Sequence, residues 1–153
     1  MIKGASYSGH EGILLARLFE APRERVWREW TKPERFADWY GGDNAEVPVE
    51  TVEMDVRPGG VWRATMFAGP DRREIHWDGK YLDVVEPKLL ALTLTDDAGE
   101  PYDLVTVVLI DVGGGHTEML FRQRGTMSGP EYERAAQGWS GFFDQMAKGL
   151  AND

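Results

Sequence analysis

Ser128 to Leu150 reads SGPEYERAAQGWSGFFDQMAKGL, and this stretch decides the fold. Apolar residues fall at Tyr132, Ala135, Ala136, Trp139, Phe142, Phe143, Met146 and Leu150, the three-and-four spacing of one helical face. Ser128 stands three residues before Glu131, a capping-box pair that satisfies the first orphan N–H groups. Pro130 falls in the first turn, where its missing N–H costs nothing. The segment therefore predicts one long amphipathic helix. Gly138 and Gly149 border the stripe on the Phe142 side, with Ala135 nearby, although a glycine inside a helix costs about 1 kcal/mol relative to alanine. One face is both aromatic and locally hollow. That suits a helix lining a cavity, though tight contact with a strand is the more ordinary reading.

Working back from this helix, the sequence reads as strands that could hold it. Thr117 to Arg124 and Leu104 to Asp111 are two strands joined at Gly113-Gly114-Gly115, and Leu89 to Thr95 is a third, closed by Asp96-Asp97-Ala98-Gly99. A longer strand puts Ile75, Trp77, Gly79 and Tyr81 on one face and is broken at Glu86-Pro87. Trp62, Ala64 and Met66 share a face of the strand before it. The turn Arg57-Pro58-Gly59-Gly60 then leads back to Val52, Met54 and Val56, which alternate with Thr51, Glu53 and Asp55. Two short helices precede these strands. Ala21-Pro22 opens the first, with Pro22 at its first position and Val26, Trp27 and Trp30 on one side. Thr31-Lys32-Pro33-Glu34 reads as a capping box for the second, whose apolar face is Phe36, Trp39 and Tyr40. Ile13 to Phe19 is a first strand, apolar on both faces. The order is β-α-α-β6-α, an α+β arrangement in which a curved antiparallel sheet wraps around the long helix. Residues 1–9 read as a flexible tail and 10–153 as a single domain.

Composition narrows the function classes. A chain of 153 residues with 42% apolar content is large enough for one buried core. It has no cysteine, which removes disulfides, thiolate metal sites and cysteine nucleophiles and fits a reducing cytoplasm. No apolar run approaches the roughly 20 residues of a membrane span. The formal charge of −9 comes from dispersed acidic residues, which repel nucleic acid and anionic membranes.

Several pieces, in order, resemble a known family. They are Ala21-Pro22 through Val26-Trp27 and Trp30-Thr31, then Pro33-Glu34 and Trp39-Tyr40-Gly41. Asp55-Val56-Arg57-Pro58-Gly59-Gly60-Val61-Trp62-Arg63 follows, then Gly79-Lys80-Tyr81, Val84-Val85-Glu86-Pro87, Asp111-Val112-Gly113-Gly114-Gly115 and Gly138-Trp139. Together they resemble the AHSA1-like branch of the START-like (SRPBCC) superfamily, from about Ile13 to Leu150. The resemblance implies a helix-grip fold with a cavity between sheet and helix that commonly takes apolar small molecules. Members include lipid carriers, flavonoid-binding proteins, aromatase/cyclases and the domain that stimulates the chaperone Hsp90, so the fold alone does not choose among them. Tyr40 stands where tryptophan is frequent, which puts a hydroxyl near the expected cavity mouth. Pairing of two copies through an exposed strand edge stays open.

The aromatic set carries the functional signal. Phe36, Trp39, Trp62, Trp77, Tyr81, Phe121, Trp139 and Phe142 fall on inward faces, with Tyr40 and Met66 beside them. They offer flat surface to an aromatic ligand, or they fill the core. Gln123 follows Met119 and Phe121 at strand spacing, so it is either a ligand-orienting amide or a satisfied internal one. Glu53 and Asp55 lie two apart, at a separation that suits paired carboxylates, but the alternation turns them to solvent. His10, His76 and His116 show no ligand spacing, and no metal or cofactor is expected. Ser140 in Gly-Trp-Ser-Gly lies inside a helix and so makes no nucleophile elbow. No catalytic constellation can be assembled. The expected role is binding of an apolar or aromatic small molecule between sheet and helix. The alternatives are an aromatase/cyclase-like or hydrolytic enzyme in which Tyr81 acts in the same cavity, and an Hsp90-activator-like regulator.

Overall fold

The period-two segments pair into one antiparallel sheet, and the long helix lies against its inner face. The computed structural model describes residues 6–9, 12–96 and 101–152. In chain order the elements are β1 (Ser6–Gly9), β2 (Gly12–Phe19), α1 (Arg23–Thr31), α2 (Pro33–Trp39), β3 (Ala45–Glu46), β4 (Glu53–Met54), β5 (Val61–Ala68), β6 (Arg73–Val85), β7 (Leu89–Leu94), β8 (Asp103–Gly113), β9 (His116–Arg124) and α3 (Gly129–Ala151). The strands lie in the order β1-β2-β9-β8-β7-β6-β5-β3, with β4 also paired to β5. The sheet is open and curved around α3, the helix-grip arrangement. Its longest strand, β6, shifts register between Tyr81 and Asp83, where a bulge sharpens the bend. The β8–β9 hairpin turns on Gly113, Gly114 and Gly115, all with positive φ, a conformation that side chains rarely adopt.

The core follows from the patterning. Leu90, Leu92 and Leu94 of β7, Val105, Val107 and Leu109 of β8, and Met119 and Phe121 of β9 are buried. Against them α3 buries Tyr132, Ala136, Trp139, Phe143, Met146 and Leu150. Full burial of a large apolar side chain contributes about 1.5–3 kcal/mol, so this layer dominates the stability. Ser128 caps α3 as expected: its hydroxyl accepts from the Glu131 amide at 3.2 Å, while its own amide donates to Glu131 Oε1 at 2.9 Å. Glu29 of α1, almost fully buried, accepts from Arg35 Nε of α2 at 2.7 Å and ties the short helices together.

Three local expectations are corrected. Residues 6–9 of the expected tail form β1, which pairs from Ser6↔Leu15 to Gly9↔Gly12. Ser-Tyr-Ser-Gly carries no apolar alternation to announce a strand; what it supplies is backbone partners for β2. Thr31 does not cap α2, whose N-cap is Lys32, without a side-chain bond. The Thr31 hydroxyl instead donates to the Trp27 carbonyl one turn back at 2.8 Å, the competing local bond open to threonine. The strand expected across Val52 to Val56 shrinks to Glu53–Met54, because a 3-10 turn at Val49–Thr51 feeds it and the ladder to β5 holds only two pairs. His10 and the Asp97-Ala98-Gly99 part of the expected turn lie outside the described residues.

Candidate functional site

The space between sheet and helix is divided in two. Deep inside, the void bounded by Trp30, Phe36, Tyr40, Trp62, Tyr81 and Trp139 is only about 10 Å³, room for about one water. Toward the end of the sheet where β7 finishes and α3 begins, an open cleft of about 670 Å³ separates strand ends from helix. Tyr40 belongs to both spaces and stands between them, its ring stacked on Phe36 at 4.5 Å.

The expected aromatic residues therefore separate into two groups. Phe36, Trp39, Trp62, Met66, Tyr81 and Phe121 are buried core and do not line the cleft. Trp39 donates to the Glu29 carbonyl and Trp62 to the Thr93 carbonyl, each at 2.8 Å, so their N–H groups are already used. Tyr40, Trp77, Gln123, Trp139 and Phe142 do line the cleft. Tyr40 meets Trp77 at 5.8 Å between ring centroids, Trp139 at 5.8 Å and Phe142 at 5.4 Å, so one tyrosine joins the sheet side of the wall to the helix side. Gly138 of α3 faces the cleft with open space where a side chain would stand, so the hollow beside Phe142 is a cleft rather than a tight strand contact. Trp77 Nε1 is buried with no hydrogen-bond partner among the described residues.

Beneath the aromatic wall runs a chain of polar groups. Trp139 Nε1 donates to Gln123 Oε1 at 2.8 Å, and Gln123 Nε2 donates to Asp103 Oδ2 at 2.8 Å. Indole can only donate and a carboxylate can only accept, so the amide orientation is fixed from both ends. The Tyr132 hydroxyl sits against the same carboxylate. Burial pushes it up to about 12, and the Asp103 charge adds to the effect. Burial raises the Tyr40 hydroxyl well above its ordinary value, with the charge of Asp96 contributing. Gly125 passes so close to Asp103 Oδ1 that a side chain there would collide with the carboxylate. Gln123 is thus hydrogen-bonded through both amide atoms and also lines the cleft.

Asp103 is the residue that the sequence reading missed. It is in phase with Val105, Val107 and Leu109, so its inward direction was present in the alternation. The strand expected from the apolar run begins at Leu104, one residue later, and leaves this carboxylate outside it. Glu53 and Asp55 are exposed and hold Arg63 and Arg57 on the surface, remote from the cleft. His76 pairs with Glu74 in solvent. Among the described residues no group of three or more His, Asp or Glu could hold a metal ion.

The sequence matches the family described as "Activator of Hsp90 ATPase homolog 1-like protein" over residues 20–151. The chain belongs to that family. Solved structures agree on the fold of this AHSA1-like member. A Chromobacterium violaceum protein superposes with a TM-score of 0.83 at 27% identity, covering 94% of this chain and 99% of that one. A Mycobacterium smegmatis protein gives 0.79 at 17% identity with 96% of each chain covered, and an AHSA1 protein from Silicibacter pomeroyi gives 0.78 at 19% identity, covering 90% and 96%. The last two establish the fold alone. No curated protein matches the sequence. Membership supports a ligand-binding or regulator-type role for the chain, and no helix among the described residues is long and apolar enough to cross a membrane.

Proposed function

We propose that this AHSA1-like protein binds an apolar or aromatic small molecule in the cleft between the strand ends and the first half of α3. The observation that carries this reading is the contrast between a filled interior of about 10 Å³ and an adjoining aromatic-walled cleft of about 670 Å³. Small-molecule sites usually measure about 300–1,000 Å³ and combine apolar walls with a few convergent polar groups. Trp77, Phe142 and Ala135 supply half-buried apolar surface here, and Gln123 and Asp103 supply the polar floor. Enclosing about 300 Å² of ligand at roughly 25 cal/mol/Å² yields a gross gain near 7 kcal/mol before association costs. The absence of cysteine leads us to assign the cytoplasm as its compartment.

A thermal-shift screen across flavonoids, aromatic polyketides, fatty acids, sterols and arylalkyl amines tests the proposal. At about 100 times its dissociation constant a ligand adds roughly 2.7 kcal/mol, or about 5–10 °C for a domain of this size. The expected result is a shift confined to one chemical class and abolished by Phe142→Ala or Trp77→Ala in a folded protein. Uniform silence across the screen, or a shift that ignores both substitutions, would overturn the reading.

A further inference from the structure

We propose that the ligand of this cleft carries a basic nitrogen, as an arylalkyl amine or its quaternary analogue, held over Asp103 beneath the aromatic wall. The inference rests on the cleft being the binding site and adds the chemical class of what enters it.

Asp103 is 6% exposed and lines the cleft. Its neighbours are the Gln123 amide and the Tyr132 hydroxyl, both neutral, and no Lys, Arg or His among the described residues forms an ion pair with it. A buried carboxylate without a countercharge is costly, because protein dipoles only partly replace its lost hydration. A ligand ammonium would supply the missing charge beside a carboxylate largely shielded from water, where the interaction is less screened than at the surface. The wall above points the same way. Trp77 and Phe142, both half-buried at the cleft, present ring surface, whose negative faces attract a cation placed within about 6 Å of a centroid.

The opposite assignment, an anionic ligand, has less behind it. Arg73 and Arg134 stand at the cleft, but both are exposed, so their fields are weakened by water and salt. An acid reaching past them would bring its charge toward Asp103 and, on the sheet side, toward Asp96. The net charge of −9 also enriches cations rather than anions near the protein.

Three probes of one shape decide the matter: 2-naphthylmethylamine, 2-naphthylmethanol and 2-naphthoic acid, titrated calorimetrically into the intact protein. The amine is expected to bind about tenfold more tightly than the alcohol, the gain of a charge-assisted over a neutral hydrogen bond, and the acid most weakly. In Asp103→Asn the amine preference should collapse to within about twofold of the alcohol, since the amide keeps the shape and loses the charge. A second readout needs no variant: the Asp103 side-chain carboxyl carbon resonance should move with the amine and stay still with the alcohol. Equal binding of amine and alcohol would overturn the amine assignment and leave the cleft as a binding site. Tightest binding by the acid, or an unmoved Asp103 resonance, would also overturn it.

Discussion

Replacing Gln123 with leucine removes the middle of the chain that links Trp139 to Asp103. The substitution is close to isosteric and leaves β9 its backbone pairs with Ile13 and Val105. What it takes away are two hydrogen bonds of 2.8 Å, stranding an indole donor and a carboxylate oxygen at a site where Gln123 is only 3% exposed. Each stranded buried group costs about 1–3 kcal/mol, more for the charged one. Burying leucine instead of an amide returns about 1–2 kcal/mol, so the net loss should be about 2–4 kcal/mol. With a urea slope of about 2 kcal/mol/M for a small protein, the unfolding midpoint falls by about 1–2 M. Urea titration followed by far-ultraviolet circular dichroism measures it. Adding Trp139→Phe removes the stranded donor, so the double variant should lose less than the sum of the singles, with a coupling of about 1–2 kcal/mol. A midpoint drop below about 0.3 M, or strict additivity, would refute the claim that the chain holds the floor of the cleft together.

Three further outcomes follow from the same geometry. Gly79→Ala would press a methyl group into the Thr93 carbonyl and to 2.7 Å from Trp62 Nε1, so β6 and β7 must part; the expected loss is about 3 kcal/mol or more, and a melting point within a degree of the parent would contradict it. Hydrogen bonds from Ser128, the backbone first and then the side chain, hold the Glu131 carboxyl below its ordinary value. Its contribution is therefore present above the unfolded value and disappears as pH falls through the lowered one. The protection factor of the Ser128 amide should fall across that acid window, and an unchanged one would count against the cap. Burial raises the hydroxyls of Tyr40, Tyr81 and Tyr132, the last to about 12, so the stability they carry is complete below the ordinary phenol range and lost as pH climbs through the raised values. Phenolate absorbance from these three should rise together with the loss of helical dichroism. Ionisation of all five tyrosines with the dichroism intact would show the burial to be overstated.

Much of the architecture was legible because periodicity reports burial directly. The stripe on α3 and the alternation in β8 and β9 each had one physical solution, and those elements appear where the patterns put them. The readings failed where backbone or geometry decides. Ser6–Gly9 joins the sheet through main-chain pairing that side chains do not advertise. Thr31 had two partners within reach, the next helix and the previous turn, and only the turn was bonded. The site was harder still. Sequence could say that Trp62, Trp77, Tyr81 and Trp139 point inward, but whether inward rings meet or leave a gap depends on a few ångströms of helix placement. Trp62 and Tyr81 meet their neighbours in the core, while Trp77 and Trp139 also border the open cleft.

The packing of the aromatic core has an optical consequence. Trp30 lies 4.8 Å from Trp39 and 6.2 Å from Trp139, distances at which excitation passes between indoles faster than it is emitted. The three rings should behave as one shared chromophore with low emission anisotropy at excitation wavelengths where transfer is efficient. Only Trp139 of the three borders the cleft. A quenching ligand that touches this single ring would therefore darken Trp30 and Trp39 as well, giving the protein a built-in fluorescent reporter for whatever occupies the site.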